Sequence, residues 1–173
     1  GRELRKTDKK LIQKAGEYLA KLHKIKFKKF GWIVSKTVNP SFSKWIKFCE
    51  YDFNHKITNM AKYNYVDKKT ISLIKEYFKE NKKYLDIEVK PCLLHKDYHF
   101  SHILVDKGEI TGIIDVEWAL SGHNELDITK SLLWMFEGRK DLEKLFLKGY
   151  KKYNNISKGF DKRLISEWRV WLK

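Results

Sequence analysis

The stretch LLHKDYHFSHILVDKGEITGIIDVEW, residues 93–118, combines three histidines, three aspartates and two glutamates with short apolar runs. Residues 102–105 and 110–114 are mainly β-branched or apolar, which is typical of strands. The DKGE sequence between them contains Gly108, which can adopt a positive φ angle at no steric cost. The pattern therefore predicts a β-hairpin.

The predicted hairpin carries an acidic residue at each outer end. Asp97 precedes its first strand, and Asp115 follows its second strand. Because antiparallel pairing brings these outer ends together, we expect the two carboxylates to lie close in space. Two such carboxylates suit either a general base beside a hydroxyl group or an oxygen ligand for a divalent cation.

Most of the remaining chain shows helical periodicity, with a change to strand-like periodicity near residue 89. Thr7 or Asp8 is the predicted N-cap of the first helix, Pro40 and Ser43 mark the entry to the second, and Gly138 is a predicted helix stop. Apart from the hairpin, residues 89–94 are predicted to be extended. The helical segments are 7–23, 43 onward, 67–81, 126–137, 141–153 and 162–172. We therefore predict a single α+β domain, mostly helical.

Two further features leave their function open. His23, at the end of the first helix, suits the helix dipole and is interpreted as a cap in preference to a ligand. The aromatic residues of segment 32–66 could line a pocket, although packing between helices is the favoured explanation.

The composition limits the class of protein. The chain has 173 residues, 42% of them hydrophobic, which is enough for one compact domain. No window is long and apolar enough for a membrane helix, and the first ten residues lack the apolar core of a signal peptide. We expect a soluble cytoplasmic protein with no membrane partner. Cys49 and Cys92 form no metal-binding or disulfide pattern.

The formal net charge of +15 is spread along the whole chain. Of the 37 basic residues only five are arginine, the residue best suited to bidentate phosphate and base contacts. Dispersed lysine indicates a solvated surface and disfavours nucleic acid as the partner.

The two ends of the hairpin resemble the aminoglycoside phosphotransferase and choline kinase family, small-molecule kinases of the protein-kinase-like fold. The family's catalytic loop usually reads H-G-D-x-H-x-x-N, and its metal loop reads I-D-x-E or I-D-F-G. Here the corresponding segments are HKDYHFSHILV (95–105) and GIIDVEWALSGHNELDI (112–128). The matched positions are His95, Asp97, His99, His102, Asp115, Glu117, Gly122 and Asp127. The HIL variant is similar to the 2″-aminoglycoside phosphotransferase branch.

The resemblance extends more weakly to the N-terminal part of the chain. GEYLAKLHKIKFKKFG (16–31) looks like the first helix of the family's C-terminal lobe, and GRELRK (1–6) resembles the hinge that precedes it. The expected domain is therefore a kinase-like C-terminal lobe covering residues 1–173, with the short hairpin between its catalytic and metal loops.

The resemblance also implies roles for the site residues. Asp97 would be the catalytic base, and Asp115 would bind Mg²⁺ that bridges the nucleotide phosphates. His102 stands where the family usually has asparagine, and we keep it as a metal-site residue, direct or through water. Imidazole is a poor match for Mg²⁺. A second departure is His123, where the family usually has aspartate.

Four further residues would support Asp97, Asp115 and His102. His95 would hold the two loops together from beneath, and Asp127 would accept hydrogen bonds from the catalytic-loop backbone. His99 would either approach the nucleotide phosphates or be an ordinary loop residue. Glu117 belongs to the metal-loop motif and, with Asp97, Asp115 and Glu125, forms an acidic cluster that would suit a cationic acceptor.

The implied function is transfer of the γ-phosphate of ATP or GTP, with Mg²⁺, to a hydroxyl of a small molecule. Aminoglycoside-like, choline-like and sugar acceptors all remain open. The Gly-rich loop and strand lysine of a kinase N-terminal lobe are absent from this sequence, so the chain is expected to be a fragment whose partner is that missing lobe, and to be inactive alone. The alternative is a catalytically inactive remnant that serves as a binding or interaction module.

Overall fold

A computed structural model describes residues 1–163 of the chain. Five helices and seven strands are found within these residues. The helices are α1 (Lys9–Leu22), α2 (Trp45–Lys62), α3 (Lys68–Asn81), α4 (Glu125–Phe136) and α5 (Lys140–Tyr150). The strands are β1 (Arg2–Glu3), β2 (Phe30–Val34), β3 (Thr37–Phe42), β4 (Cys92–Leu94), β5 (Ile103–Asp106), β6 (Glu109–Ile113) and β7 (Leu120–Gly122). This is the predicted mostly helical α+β fold.

The hairpin predicted from the sequence is confirmed as β5 and β6. They pair antiparallel, from Ile103 opposite Ile113 to Asp106 opposite Glu109. Gly108 at the turn has a φ angle of 78°, which is the conformation that favours glycine. The short strand β1 pairs with β5 and completes a three-stranded sheet.

A second antiparallel sheet has the strand order β3-β2-β7-β4. The sequence analysis missed its β2–β3 hairpin, although β4 falls within the extended segment predicted at 89–94. Pro40 lies in β3, and a proline cannot donate to a sheet ladder, so it argues against a strand unless that strand lies at the sheet edge. β3 is such an edge strand.

Five of the predicted helices are found close to their expected positions. Asp67 caps α3, and its carboxylate accepts a hydrogen bond from the Thr70 backbone N–H at 2.9 Å. α4 ends where Glu137 and then Gly138 adopt positive φ angles, so the predicted stop is confirmed. Most of the helix predicted at 162–172 lies outside the described residues.

Helices α1 and α5 pack with their backbones in close contact at two glycines. A Cβ atom added to Gly16 would lie 2.1 Å from the carbonyl oxygen of Phe146, and one added to Gly149 would lie 1.9 Å from that of Gln13. Neither position can therefore take a larger residue unless the helices move apart.

Two hydrophobic clusters support the site from opposite sides. One lies between the β5–β6 hairpin and helices α1, α4 and α5. The other joins α2 and α3 to the second sheet. In this cluster Trp45, Phe48 and Phe53 are buried, so these aromatic residues serve packing, as favoured from the sequence. None of the helices in residues 1–163 combines the length and apolar character that a membrane span requires.

Candidate active site

Two loops meet at the outer ends of the β5–β6 hairpin. The first, residues 95–102, joins β4 to β5, and the second, residues 114–119, joins β6 to β7. Lys96 in the first loop and Asp115 in the second have φ angles of 69° and 63°. Non-glycine residues in this region cost on the order of 1–3 kcal/mol each and persist where surrounding contacts fix them.

His102 links the two carboxylates that the sequence predicted to be close. Its Nε2 atom lies 3.1 Å from Asp115 Oδ2, and its Nδ1 atom lies 3.4 Å from Asp97 Oδ2. The Nδ1 atom is also 2.8 Å from the backbone carbonyl oxygen of Asp97. The side chains of Asp97 and Asp115 are 22% and 43% exposed, so both are accessible to a ligand.

His99 brings a second imidazole to the same point. Its Nε2 atom lies 3.4 Å from Asp97 Oδ2, and its ring centroid is 3.9 Å from that of His102. Donor atoms of Asp97, His99 and His102 all lie within 4.8 Å of one another. A set with both carboxylate oxygen and imidazole nitrogen can hold a divalent cation, and imidazole nitrogen suits transition-metal ions such as Zn²⁺ better than Mg²⁺.

His95 lies beneath the two loops and connects them. Its buried ring is placed with Nε2 2.9 Å from the carbonyl oxygen of Ile114, to which it donates, while Nδ1 accepts from the Asp97 backbone N–H at 3.3 Å. Burial lowers the pKa of His95, which favours the neutral ring that these two contacts need. The ring therefore joins the residue before Asp115 to Asp97 itself.

Asp127, in the first turn of α4, fixes the start of the first loop, residues 95–102. Its buried carboxylate accepts hydrogen bonds from the backbone N–H groups of His95 at 2.7 Å and Lys96 at 2.8 Å. This is the contact that the family resemblance implied. Because backbone N–H groups at this depth need a partner, Asp127 holds the loop in its positive-φ conformation at Lys96.

Asp127 is also held by a chain of buried side chains that sequence reasoning missed. His23 Nε2 lies 3.2 Å from Asp127 Oδ2. The His23 Nδ1 atom is 2.8 Å from the Tyr150 hydroxyl, which accepts a hydrogen bond from the Asn124 amide at 2.7 Å. His23 does end α1, as its predicted capping role requires, but its ring is fully buried and also supports the catalytic loop.

Glu125 and Glu117, two members of the predicted acidic cluster, lie in different environments. Glu125 is fully buried and pairs with Arg163, with Oε2 2.6 Å from the guanidinium Nε atom. Glu117 is exposed on the second loop and lines a mainly apolar cavity of about 290 Å³ with Leu22 and Leu93. The expectation that Glu125 adds negative charge around Asp97 is therefore wrong, because its carboxylate is paired with Arg163. The role of Glu117 stays a prediction.

The side of Asp97 away from the histidines is basic. Lys130 Nζ lies 3.8 Å from Asp97 Oδ1 and donates to the carbonyl oxygen of Lys96. Burial, followed by repulsion from Lys56, lowers the pKa of Lys96 to about 7. Sequence reasoning missed these lysines, although two positional signals were present, since Lys96 precedes Asp97 directly and Lys130 lies one helical turn after Asp127.

The two loops thus bring two carboxylates, and a donor set that could hold a cation, to the outer ends of one hairpin. The sequence matches the profile of the phosphotransferase enzyme family, also called APH, over residues 1–164. The chain belongs to this family. No curated protein matches the sequence significantly.

Solved structures of other proteins share the fold. A candidate fructosamine-3-kinase from Thermobifida fusca YX-ER1 is 16% identical with a TM-score of 0.73, and the match covers 98% of this chain and 59% of that one. The aminoglycoside phosphotransferase APH(2'')-IIa, in its gentamicin complex, is 19% identical with a TM-score of 0.58, and the match covers 96% of this chain and 53% of that one. The amicoumacin kinase hAmiN, in complex with AMP-PNP, Ca²⁺ and Ami, is 17% identical with a TM-score of 0.60, and the match covers 98% of this chain and 53% of that one. The chain thus spans between half and three fifths of these proteins.

Proposed function

We propose that this chain is the C-terminal lobe of a small-molecule kinase that transfers the γ-phosphoryl group of ATP or GTP to a hydroxyl. The observation that carries the proposal is the joining of Asp97 and Asp115 through His102, with separations of 3.4 and 3.1 Å. Phosphoryl transfer needs both a base or orienting group for the acceptor and a cation for the phosphates in one site. The N-terminal lobe would supply the rest of the nucleotide site.

In this reaction the oxygen of the acceptor hydroxyl forms a bond to the γ-phosphorus, and Asp97 accepts the proton of that hydroxyl. The bond between that phosphorus and the bridging oxygen breaks, and the nucleoside diphosphate leaves. Asp115, with His102, would hold the divalent cation, which neutralises phosphate charge when bound. His95 and Asp127 position the loop, and positioning is the main source of catalysis in such transfers.

His99 and the surroundings of the reaction complete the proposal. His99 faces the same point as His102 and would approach the nucleotide phosphates or the cation. Mg²⁺ is the proposed ion with ATP or GTP because the carboxylates favour it, and Mn²⁺ is the alternative because, as a transition-metal ion, it accepts imidazole nitrogen more readily than Mg²⁺ does. We place the reaction in the cytoplasm, where nucleoside triphosphates are available.

The test is a nucleotide-consumption assay with the protein expressed from its complete reading frame, screened against hydroxylated small molecules. Asp97→Asn should lower the rate on the order of 10²- to 10⁴-fold, the usual contribution of a general base. Asp106→Asn is the matched control, since Asp106 lies in the same hairpin but at its distal turn. Equal rates for Asp97→Asn and the control would refute the assignment of the base.

A non-catalytic, kinase-like binding module is the second candidate, and His102 is the observation that favours it. Imidazole nitrogen replaces the oxygen ligand expected beside Asp115, and Mg²⁺ binds nitrogen poorly. This candidate predicts nucleotide or small-molecule binding without turnover in either Mg²⁺ or Mn²⁺. Turnover that depends on Asp97 with either ion would exclude it.

A further inference from the structure

An open cavity of about 290 Å³ lies directly beside Asp97. It is lined by three lysines, two tryptophans and Asp97, namely Lys56, Lys96, Lys130, Trp118, Trp134 and Asp97. The lysines come from three separate parts of the fold, which are α2, the catalytic loop and α4. The tertiary structure therefore gathers positive charge at this point of the surface.

The cavity and the cation-binding histidines lie on opposite sides of Asp97. Its Oδ2 atom faces His99 and His102 at 3.4 Å, whereas its Oδ1 atom faces Lys130 at 3.8 Å. In an in-line transfer the acceptor approaches the phosphorus from the side opposite the leaving group. The cavity is therefore the space in which an acceptor hydroxyl could reach Asp97.

The charges around this space disfavour a cation. Asp97 is the one acidic residue among the described residues that line the cavity, and a base needs its carboxylate unneutralised. Lys56 pairs with the buried Asp52 behind it at 3.0 Å. The side chains of Lys56, Lys96 and Lys130 all line this one cavity. These ammonium groups therefore repel one another, and a bound anion would relieve that repulsion.

The two tryptophans give the cavity flat apolar walls. Trp118 is 54% exposed and Trp134 is 46% exposed, although large aromatic residues usually bury most of their area. The Lys130 ammonium lies 4.3 Å from the Trp134 ring centroid, so a charged donor and a stacking surface stand side by side. Such a pair can contact the anionic group and the ring or carbon face of one small molecule.

We propose that the acceptor is a hydroxylated small molecule carrying an anionic group, a carboxylate or a phosphate ester, which Lys56, Lys96 and Lys130 bind while Trp118 and Trp134 contact its carbon face. This rests on the proposed kinase function. The transfer itself is unchanged: the hydroxyl proton passes to Asp97, and the oxygen gains the phosphoryl group. The lysines select the acceptor by charge and leave the reacting bonds alone.

The experiment uses the protein from its complete reading frame and acceptors that differ in charge on one scaffold. Glucosamine, glucose, glucuronate and glucose 6-phosphate supply a cation, a neutral molecule and the two kinds of anion. Binding is followed by tryptophan fluorescence and calorimetry without nucleotide, and transfer is followed separately by nucleotide consumption. At least one anion should bind about tenfold or more tightly than glucose, as expected for charge-assisted hydrogen bonds, and the two anions distinguish carboxylate from phosphate.

Two substitutions assign the preference to the lysines. Lys56→Gln should reduce anion affinity about tenfold and leave glucose affinity unchanged, and Lys56→Glu should reverse the order of glucuronate and glucosamine. Lys62→Gln is the matched control, because Lys62 lies at the exposed end of the same helix. A melting curve for each variant shows that it is folded. Lys130→Gln provides a second variant if Lys56 variants fail to fold.

The outcomes separate this proposal from the kinase function. Equal responses to the four acceptors, absence of any response included, or preference for glucosamine would overturn the anionic acceptor. If nucleotide is consumed but the anions are not preferred, the kinase function is retained and the anionic acceptor is rejected. Anion binding that depends on Lys56, without any phosphoryl transfer, would support the anion site and contradict the kinase function.

Discussion

Asp127→Asn tests how the core holds the catalytic loop. In the folded protein the carboxylate accepts two short backbone hydrogen bonds, from His95 at 2.7 Å and Lys96 at 2.8 Å, and a contact from His23 at 3.2 Å. Asparagine keeps one oxygen and replaces the other with an NH₂ group. One buried donor must then face another donor, so at least one charge-assisted bond is lost and one N–H is left without a partner.

Each hydrogen bond to a charged group contributes about 1.5–3 kcal/mol, and a stranded buried donor costs a further 1–3 kcal/mol. We expect Asp127→Asn to lower the free energy of unfolding by about 3 kcal/mol, which corresponds to roughly 6–12 °C in melting temperature for a chain of this size. Urea unfolding and calorimetry measure both quantities.

Asp141→Asn is the matched control, because Asp141 is exposed and pairs with Arg139 at 3.0 Å on the surface. Such pairs contribute at most about 1 kcal/mol. If Asp127→Asn and Asp141→Asn had unfolding free energies within about 0.5 kcal/mol of each other, Asp127 would not be the anchor of the loop.

Three further substitutions probe other parts of the structure. Gly16→Ala should destabilise the protein by about 2–3 kcal/mol in urea unfolding, since its Cβ would meet the α5 backbone, whereas Gly112→Ala, where a Cβ would make an ordinary contact with Leu104, should change stability by less than about 1 kcal/mol. Burial lowers the pKa of His123 from its ordinary 6.5 to about 4, so the unfolded chain gains a proton first and stability should fall by about 3 kcal/mol from pH 6.5 to 4. His123→Asn should flatten that part of the stability profile, whereas His55→Asn at an exposed position should leave it; equal slopes would contradict the buried neutral ring. His102→Asn should shift the ratio of activity in Mg²⁺ to activity in Mn²⁺ toward Mg²⁺ on the order of tenfold, and an unchanged ratio in steady-state assays would show that His102 does not contact the cation.

The sequence predicted best where a local pattern determines the backbone. Gly108 and the flanking β-branched runs specify the hairpin, and Asp67 specifies the start of α3, because turns and caps depend on a few neighbouring residues. The β2–β3 hairpin was missed because Pro40 is compatible with a strand only at a sheet edge, and edge position is a property of the assembled sheet.

The candidate site was predicted only where its residues are connected by a local element of structure. Asp97 and Asp115 could be placed together because one hairpin connects them. The contact between His23 and Asp127 joins residues more than a hundred positions apart, and Lys56 reaches the cavity only through the packing of α2. Helical periodicity shows which face of a helix is polar, but it does not show which neighbour that face meets.

Asp127 and Lys130 lie one turn apart on α4, and their different tasks constrain how this protein can evolve. Asp127 holds the backbone before Asp97, and Lys130 lines the cavity that we propose for the acceptor. A shift of α4 that reshapes the cavity would also displace Asp97. Substitutions that move this helix therefore cannot change acceptor preference independently of the position of Asp97. Lys56 lies on a different helix, α2, and forms its ion pair with Asp52 of that same helix. New acceptor preferences in this lineage should therefore arise mainly through substitutions on α2, while α4 keeps its place.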